Sequence, residues 1–343
     1  MSERHFFHEV SCESWGTWII KRIFGGQPAQ PKHVSCPLDG KSLQKSVTGT
    51  WPIRARPEYA AEYTRFLQMF FYNSSSEFEL KIPVHFLEYG LKNGSIVGVE
   101  IRDKDKILVG CVFDLYAGKY NTVEMGLVTW MCVAPSWRKR GVGSDLLFAL
   151  YFFSQPRRIH WWRNDGVIQS PLPPFWYEKK IFRKRQIQRT VISGQKQLHL
   201  TKSSLSRWKS KFIEQWKSSH PTGIILDDTE FETEFGEVWE IQFSPTLTAA
   251  IYIQPTFEKT KKTQENWCEI IAWAWSRPTI QHYEQAQLLE KMLDLLPYDW
   301  FESSNQMPHF EHGWSNGPNS SWSCICLDYG IPALKPILSL CIN

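Results

Sequence analysis

Long apolar runs are missing from this sequence. None reaches the roughly 18 residues that a helix needs to cross a bilayer. The first ten residues, MSERHFFHEV, lack the basic-then-apolar order of a secretion signal. These two absences set the expectation of a cytoplasmic protein with no transmembrane anchor. Metal-ligand spacing is also missing. The 8 cysteines, at positions 12, 36, 111, 132, 268, 324, 326 and 341, form no C-x-x-C pair and have no His/Cys partners at zinc-site spacing. They read as small apolar residues in a reducing compartment, and no metal is expected. The chain has neither the G-x-x-x-x-G-K-[ST] loop of nucleotide hydrolases nor the three-glycine dinucleotide fingerprint. An excess of one charge is absent as well: 39 basic against 35 acidic residues leave a net +4. The basic run from Lys179 to Arg189 is offset by the acidic stretch Asp227 to Glu240, so both read as solvated faces, and no nucleic acid is expected.

Aromatic residues are abundant. The 17 Trp suit a core or a long apolar groove. A chain of 343 residues has room for about two domains of 100–200 residues. Residues 1–50, rich in Gly, Pro and Ser, read as an extended arm. From Pro57 the apolar positions Tyr59, Tyr63, Phe66, Leu67, Phe70 and Phe71 recur at helical spacing. A short helix is expected at Val84 to Gly90. Strands are expected at Ser95 to Ile101, Ile107 to Leu115 and Gly126 to Val133. A second unit carries a helix near Ser203 to Lys217, strands at Glu237 to Phe243 and Ala249 to Ile253, a helix at Ile280 to Leu296, and closing strands near Ser323 and Ile337. The order strand, strand, helix, strand therefore occurs twice, which predicts two similar α/β halves, 51–192 and 193–343.

The most informative stretch is PSWRKRGVGSDLLFAL, from Pro135 to Leu150. Two glycines, Gly141 and Gly143, stand where a strand hands over to a helix. Lacking Cβ atoms, they let a ligand approach the backbone, and the first-turn N–H groups point outward at the positive end of the helix dipole. Arg138, Lys139 and Arg140 add positive charge. Such a turn suits a pyrophosphate.

The pattern Arg-x-x-Gly-x-Gly after a strand carrying CVAP resembles the acyl-CoA loop of the GNAT acyltransferase superfamily. Four further stretches, in order along the chain, resemble the N-myristoyltransferase family. IFGGQPAQPK (Ile23 to Lys32) is similar to its F-W-x-T-Q-P-V-P-K segment. The stretch from Tyr63 to FLEYGL is similar to the segment ending F-L-x-W-A-L, and DGVIQSPLPPFWY to A-G-V-x-L-P-x-P with Y-W-H. AWSRPTIQHYEQAQLLEKMLDLLPYDWF is similar to the T-P-L-x-D-L-M-x-D-A-L helix and the strand after it. The resemblance implies an α/β (α+β) fold of two fused GNAT-like halves, each a mixed central sheet flanked by helices. It implies transfer of a myristoyl group from myristoyl-CoA, as co-substrate, to the N-terminal glycine of a protein. The first half would bind acyl-CoA and the second would complete the groove for the substrate's N-terminal segment. A monomer with no permanently bound cofactor is expected.

Residue by residue, the resemblance puts an oxyanion hole at the backbone N–H groups of Trp130 and Met131, with Cys132 and Val133 continuing the CoA-binding edge. Lys139, Gly141, Val142 and Gly143 fall where the family holds the CoA phosphates. Arg22, Ile23 and Phe24 fall where it holds the adenine end, and Lys32 could pair with a phosphate there. Thr129 and Asn164 fall beside the reacting amine, with their residue types exchanged relative to the family. The family's α-carboxylate base would belong to Asn343, and the apolar ending KPILSLCIN fits a docked terminus.

The sequence also departs from the family. The acidic loop that favours basic peptides is reduced here to Glu77 in YNSSSEF, and the late G-D-G reads SNGPNSS. On this resemblance the peptide groove would be remodelled, while the CoA side looks retained. Three alternatives follow: a GNAT enzyme moving acetyl or another short acyl group, a catalytically silent acyl-CoA- or peptide-binding homologue, and an RNA binder using Lys179 to Arg189.

Overall fold

The structure is a computed structural model. It describes residues 34–35, 43–72, 75–120, 123–155, 157, 159–165, 176–186, 198, 200–219, 236–277, 282–304 and 314–326. In chain order its strands are β1 (Val34–Ser35), β2 (Ile53–Arg54), β3 (Phe78–Leu80), β4 (Ile96–Arg102), β5 (Leu108–Tyr120), β6 (Val123–Val133), β7 (Ile159–Asp165), β8 (Trp176–Lys184), β9 (Leu200–Ser203), β10 (Glu237–Ser244), β11 (Leu247–Thr260), β12 (Asn266–Trp275), β13 (Trp300–Ser304) and β14 (Ser315–Cys326). Its helices are α1 (Ala60–Phe70), α2 (Val84–Asn93), α3 (Val142–Phe153), α4 (Leu205–Ser219) and α5 (His282–Leu295). The described residues form two compact units: the first centred on Pro83–Tyr177, the second on Glu178–Ser320 with Ser74–Ile82.

In the first unit the sheet order is β2-β4-β5-β6-β7. Along that order every pairing is antiparallel except β6 with β7, which is parallel and is bridged by α3, and β1 pairs in parallel with β14 through Val34 with Ile325 and Ser35 with Cys326. Ile96 to Ile101 on β4 are all buried, so alternation disappears, as expected of a strand covered on both faces. One face packs Val97, Val99, Ile101, Val112 and Val128 against Val142, Leu146 and Leu150 of α3. On the other, Tyr63 of α1 meets Phe113 of β5 edge-on at 5.8 Å.

The helix expected to stop at Gly90 continues to Asn93 and ends at Gly94, whose left-handed φ of 84° lets its N–H cap the Gly90 carbonyl. Gly90 has a different role. A Cβ there would stand 2.5 Å from the Ile96 side chain, so the glycine allows helix and strand to approach. The end of the expected arm is docked as well. Leu43 packs on the core cluster, Ser46 and Thr48 are buried, and the Thr50 hydroxyl donates to the Arg102 carbonyl.

In the second unit the order is β8-β13-β12-β11-β10-β9, with β3 added along β11. Here too a single parallel pair, β12 with β13, is bridged by a helix, α5. Each unit is therefore a mixed sheet flanked by helices. Strand β12, absent from the sequence reading, lies within the sheet, and its NWCEIIAWAW is buried from its second residue onward. A continuous apolar run shows no period of two, which is why it escaped notice. Many tryptophans prove to be core: Trp208, Trp267, Trp273 and Trp275 are buried, and Trp267 stacks on Trp300 with ring planes 4° apart. Three residues of the basic run that crosses β8 are paired. Arg183 meets Asp294 at 2.9 Å, Lys184 meets Glu265 at 2.7 Å and Arg185 meets Asp299 at 3.4 Å. None of the described helices is long and apolar enough to cross a membrane.

Candidate active site

The site begins with an irregularity in β6. Cys132 stands opposite Cys111 and Thr129 opposite Phe113, so Trp130 and Met131 together face the one residue Val112. This is a β-bulge, which breaks the ladder and turns backbone groups out of it. Trp130 adopts φ 49°, a left-handed conformation that bulky side chains avoid. Such strain costs about 1–3 kcal/mol and persists where the surroundings hold it. The holding is visible. The Trp130 indole lies 6.2 Å, edge-on, from both Phe86 and Phe113. Met131 packs against the α3 core cluster.

At the same point β6 and β7 part. Their parallel register runs from Met125 with Ile159 to Val128 with Trp162, although β6 continues to Val133 and β7 to Asp165. The ladder between the two strands therefore stops beside the bulge. Thr129 is half-buried at its start. Asn164 lies on β7 beyond the last residue paired with β6, and its side chain falls outside the described residues.

Beyond β6 a 3₁₀ turn, Pro135–Trp137, leads into Arg138, Lys139 and Arg140. Lys139 (φ 61°) and Gly141 (φ 94°) are both left-handed, and α3 starts at Val142. The first helical bond runs from the Asp145 N–H to the Gly141 carbonyl, so the N–H groups of Val142, Gly143 and Ser144 precede it and point out of the helix end. Left-handed residues followed by a helix start make a concave, anion-binding run of N–H groups. A Cβ on Gly143 would lie 3.9 Å from Met131 Sδ, which puts the cradle directly beside the bulge.

The three basic residues differ in what they can do. Arg138 donates from Nε to the Val133 carbonyl at 2.9 Å and from Nη2 to the Phe70 carbonyl at 2.7 Å, tying the end of β6 to the end of α1. Arg140 lies over the Trp137 ring at 5.3 Å. Lys139 is exposed and makes no ion pair with a described residue. Nearby thiols are poor nucleophiles. Burial pushes Cys132 up to about 12, against the pull of Arg138, and raises Cys111 well above the usual range.

A buried polar knot clamps the paired end of β6 and β7. Asp114 accepts from Arg157 at 2.9 Å and lies 3.3 Å from His160 Nδ1, and His160 Nε2 is 3.3 Å from the Ser154 hydroxyl. The types mimic a Ser-His-Asp triad. All four side chains are nonetheless at most 4% exposed, so no substrate reaches them, and their role is mechanical. Arg157 also donates to the carbonyls of Asp114, Gly94 and Ser95, drawing β4, β5 and the β7 entry together. Burial pushes the Asp114 carboxyl up, but His160 and Arg157 outweigh it and hold it below the ordinary range. Gly126, in register with His160, makes room: a Cβ there would stand 1.9 Å from Asp114 Oδ1.

Thus Trp130, Met131, Gly141, Val142 and Gly143 are brought together. Cys132 and Val133 continue the same strand, and Cys132 is turned into the core. Arg22, Ile23, Phe24, Lys32 and Asn343 lie outside the described residues. Sequence reading missed the polar knot and the strain at Trp130. No local pattern marks either, because both depend on which strands are neighbours.

No family model matches the sequence, and no curated protein matches it. Solved structures do. Saccharomyces cerevisiae N-myristoyltransferase with bound myristoyl-CoA is similar at a TM-score of 0.62 and 11% identity, over 95% of this chain and 93% of that one. A second structure of that yeast enzyme, with bound myristoyl-CoA and inhibitors, gives 0.60 and 12%, over 87% and 86%. The fold is therefore that of the N-myristoyltransferases.

Proposed function

We propose that this protein is an acyltransferase that carries an acyl group from acyl-CoA to an amine, and that the group is myristoyl and the amine an N-terminal glycine. The observation that supports this most is the bulge at Trp130 and Met131, set beside the α3 cradle at the point where β6 and β7 part. The CoA pyrophosphate would sit on the N–H groups of Val142 and Gly143 with Lys139 as counter-charge. The adenine end would fall to Arg22, Ile23, Phe24 and Lys32. The thioester would lie where β6 and β7 part, with its carbonyl oxygen at the bulge.

The reaction asks little of the side chains. The lone pair of the amine attacks the thioester carbon, the carbonyl oxygen takes up negative charge, and the backbone N–H groups of Trp130 and Met131 stabilise it. The C–S bond then breaks, CoA leaves as the thiolate, and the ammonium proton passes to a base. An α-amine titrates at about 7.7–8, so a carboxylate such as that of Asn343 would serve mainly to orient and pair it, with Thr129 and Asn164 hydrogen-bonding beside it. The high thiol pKa of Cys132 fits direct attack, without an acyl-enzyme.

The test is turnover. Purified protein is offered acyl-CoAs from acetyl to palmitoyl with peptides that begin with Gly or Ala, and CoA thiol release and acyl-peptide mass are followed. Myristoyl transfer to the Gly peptides alone is the expected result. Transfer of short chains would identify a shorter-acyl enzyme, tight acyl-CoA binding without turnover a silent homologue, and absence of binding would overturn the proposal.

A further inference from the structure

Asp145 sits in the first turn of α3, where a carboxylate competes with any bound anion for the positive end of the helix. Its charge is directed elsewhere. Oδ2 accepts from the Ser46 hydroxyl at 2.7 Å and from the Val47 N–H at 3.1 Å, across 99 and 98 residues of sequence. These bonds lay Val47 over the cradle: its Cγ1 stands 3.5 Å from where a Cβ of Gly141 would be. Ser46 is only 5% exposed, Leu43 packs on the core cluster, and Ser46 and Thr50 close the segment with a backbone bond of 2.8 Å. Residues 43–50 therefore form a docked strap whose attachment to the cradle is Asp145.

We propose that Asp145 is a positioning residue for acyl-CoA. It anchors the strap as one wall of the phosphate cradle, and the two strap donors in turn hold its carboxylate away from the N–H groups of Val142, Gly143 and Ser144. This rests on the acyl-CoA reading given above. Position and charge can be separated. Asp145→Asn keeps an oxygen that accepts from Ser46 and Val47 but loses the charge, whereas Asp145→Ala loses both, and Ser46→Ala loses one donor with little effect on the helix.

The experiment measures Kd for myristoyl-CoA by titration and hydrogen exchange at the Val47 amide, with the acceptor peptide's KM as internal control. Asp145→Ala is expected to weaken myristoyl-CoA binding about tenfold and Ser46→Ala severalfold, while Asp145→Asn stays within about twofold of the parent. Val47 exchange should quicken in Asp145→Ala and remain slow in Asp145→Asn, and the peptide's KM should not follow. Equal tightening in Asp145→Ala and Asp145→Asn would show a merely repulsive carboxylate and overturn the proposal. So would unchanged affinity in Asp145→Ala and Ser46→Ala, or fast Val47 exchange in the parent protein. A parent protein with slow Val47 exchange but no affinity for myristoyl-CoA would overturn the functional reading instead.

Discussion

Substituting Gly143 separates stability from binding. Among the described residues, and apart from its chain neighbours and the helix's own backbone, a Cβ built there comes within 4 Å of Met131 Sδ and Cε alone, at 3.9 and 4.0 Å, an ordinary contact. Gly143→Ala should therefore fold unhindered and gain up to about 0.5–1 kcal/mol from reduced backbone freedom in a helix. Gly143→Glu places an acid in the first turn of α3, where the dipole favours it by about 0.3–1 kcal/mol. The same carboxylate would lie about 5 Å from a pyrophosphate on the N–H groups of Val142 and Gly143. At an effective dielectric of about 20, two unit charges at that distance repel by about 3 kcal/mol, or about a hundredfold in Kd. Stability and affinity should thus move in opposite directions. Gly143→Gln, of equal size, gives the steric part alone. The assay is titration with myristoyl-CoA at low and high salt, paired with urea unfolding. If Glu and Gln weaken binding equally, or Glu not at all, the cradle does not hold phosphate.

Other consequences concern the polar knot and the thiols. Gly126→Ala should destabilise the protein by about 3 kcal/mol or more, because a Cβ 1.9 Å from Asp114 Oδ1 forces the buried carboxylate off its partners, and urea unfolding would read the loss. The Asp114 carboxyl is depressed by folding, so its stabilisation is present above the unfolded carboxyl's pKa of about 3.9 and is lost as pH falls through the lower folded value. Asp114→Asn should be less stable at neutral pH and show a shallower loss below about pH 4 in acid-unfolding curves. Burial raises the Cys111, Cys132 and Cys268 thiols, Cys132 to about 12, so iodoacetamide at about pH 8 should leave all three unlabelled in native peptide maps and label them after unfolding.

Much of the scaffold was legible along the chain. The helical spacing from Tyr59 to Phe71 marked α1, and the strands expected at Ser95 to Ile101 and Ile107 to Leu115 became the β4–β5 hairpin. The pair Gly141 and Gly143 after Val133 marked a strand-to-helix turn with outward N–H groups. These are local matters, decided by Cβ sterics, side-chain periodicity and hydrogen bonds within a few residues. Where reading failed, a local rule met a non-local partner. Gly90 looks like a helix stop, yet it is a glycine because Ile96 lies against it. Strand β12 hid its type because sheet burial had removed its alternation.

The sequence by itself determined the chemistry on offer: an exposed run of N–H groups with basic residues around it, and no metal-ligand spacing. Tertiary structure decided what that chemistry faces. Whether Trp130 and Met131 form a bulge is undefined until β5 supplies the single residue opposite them. Whether β6 and β7 part is undefined until the Asp114 knot holds their other end. Asp145 reads as an ordinary first-turn acid until Ser46, 99 residues away, reaches it. Such relations lie in pairing between distant segments, where register and burial outweigh anything the local chain prefers.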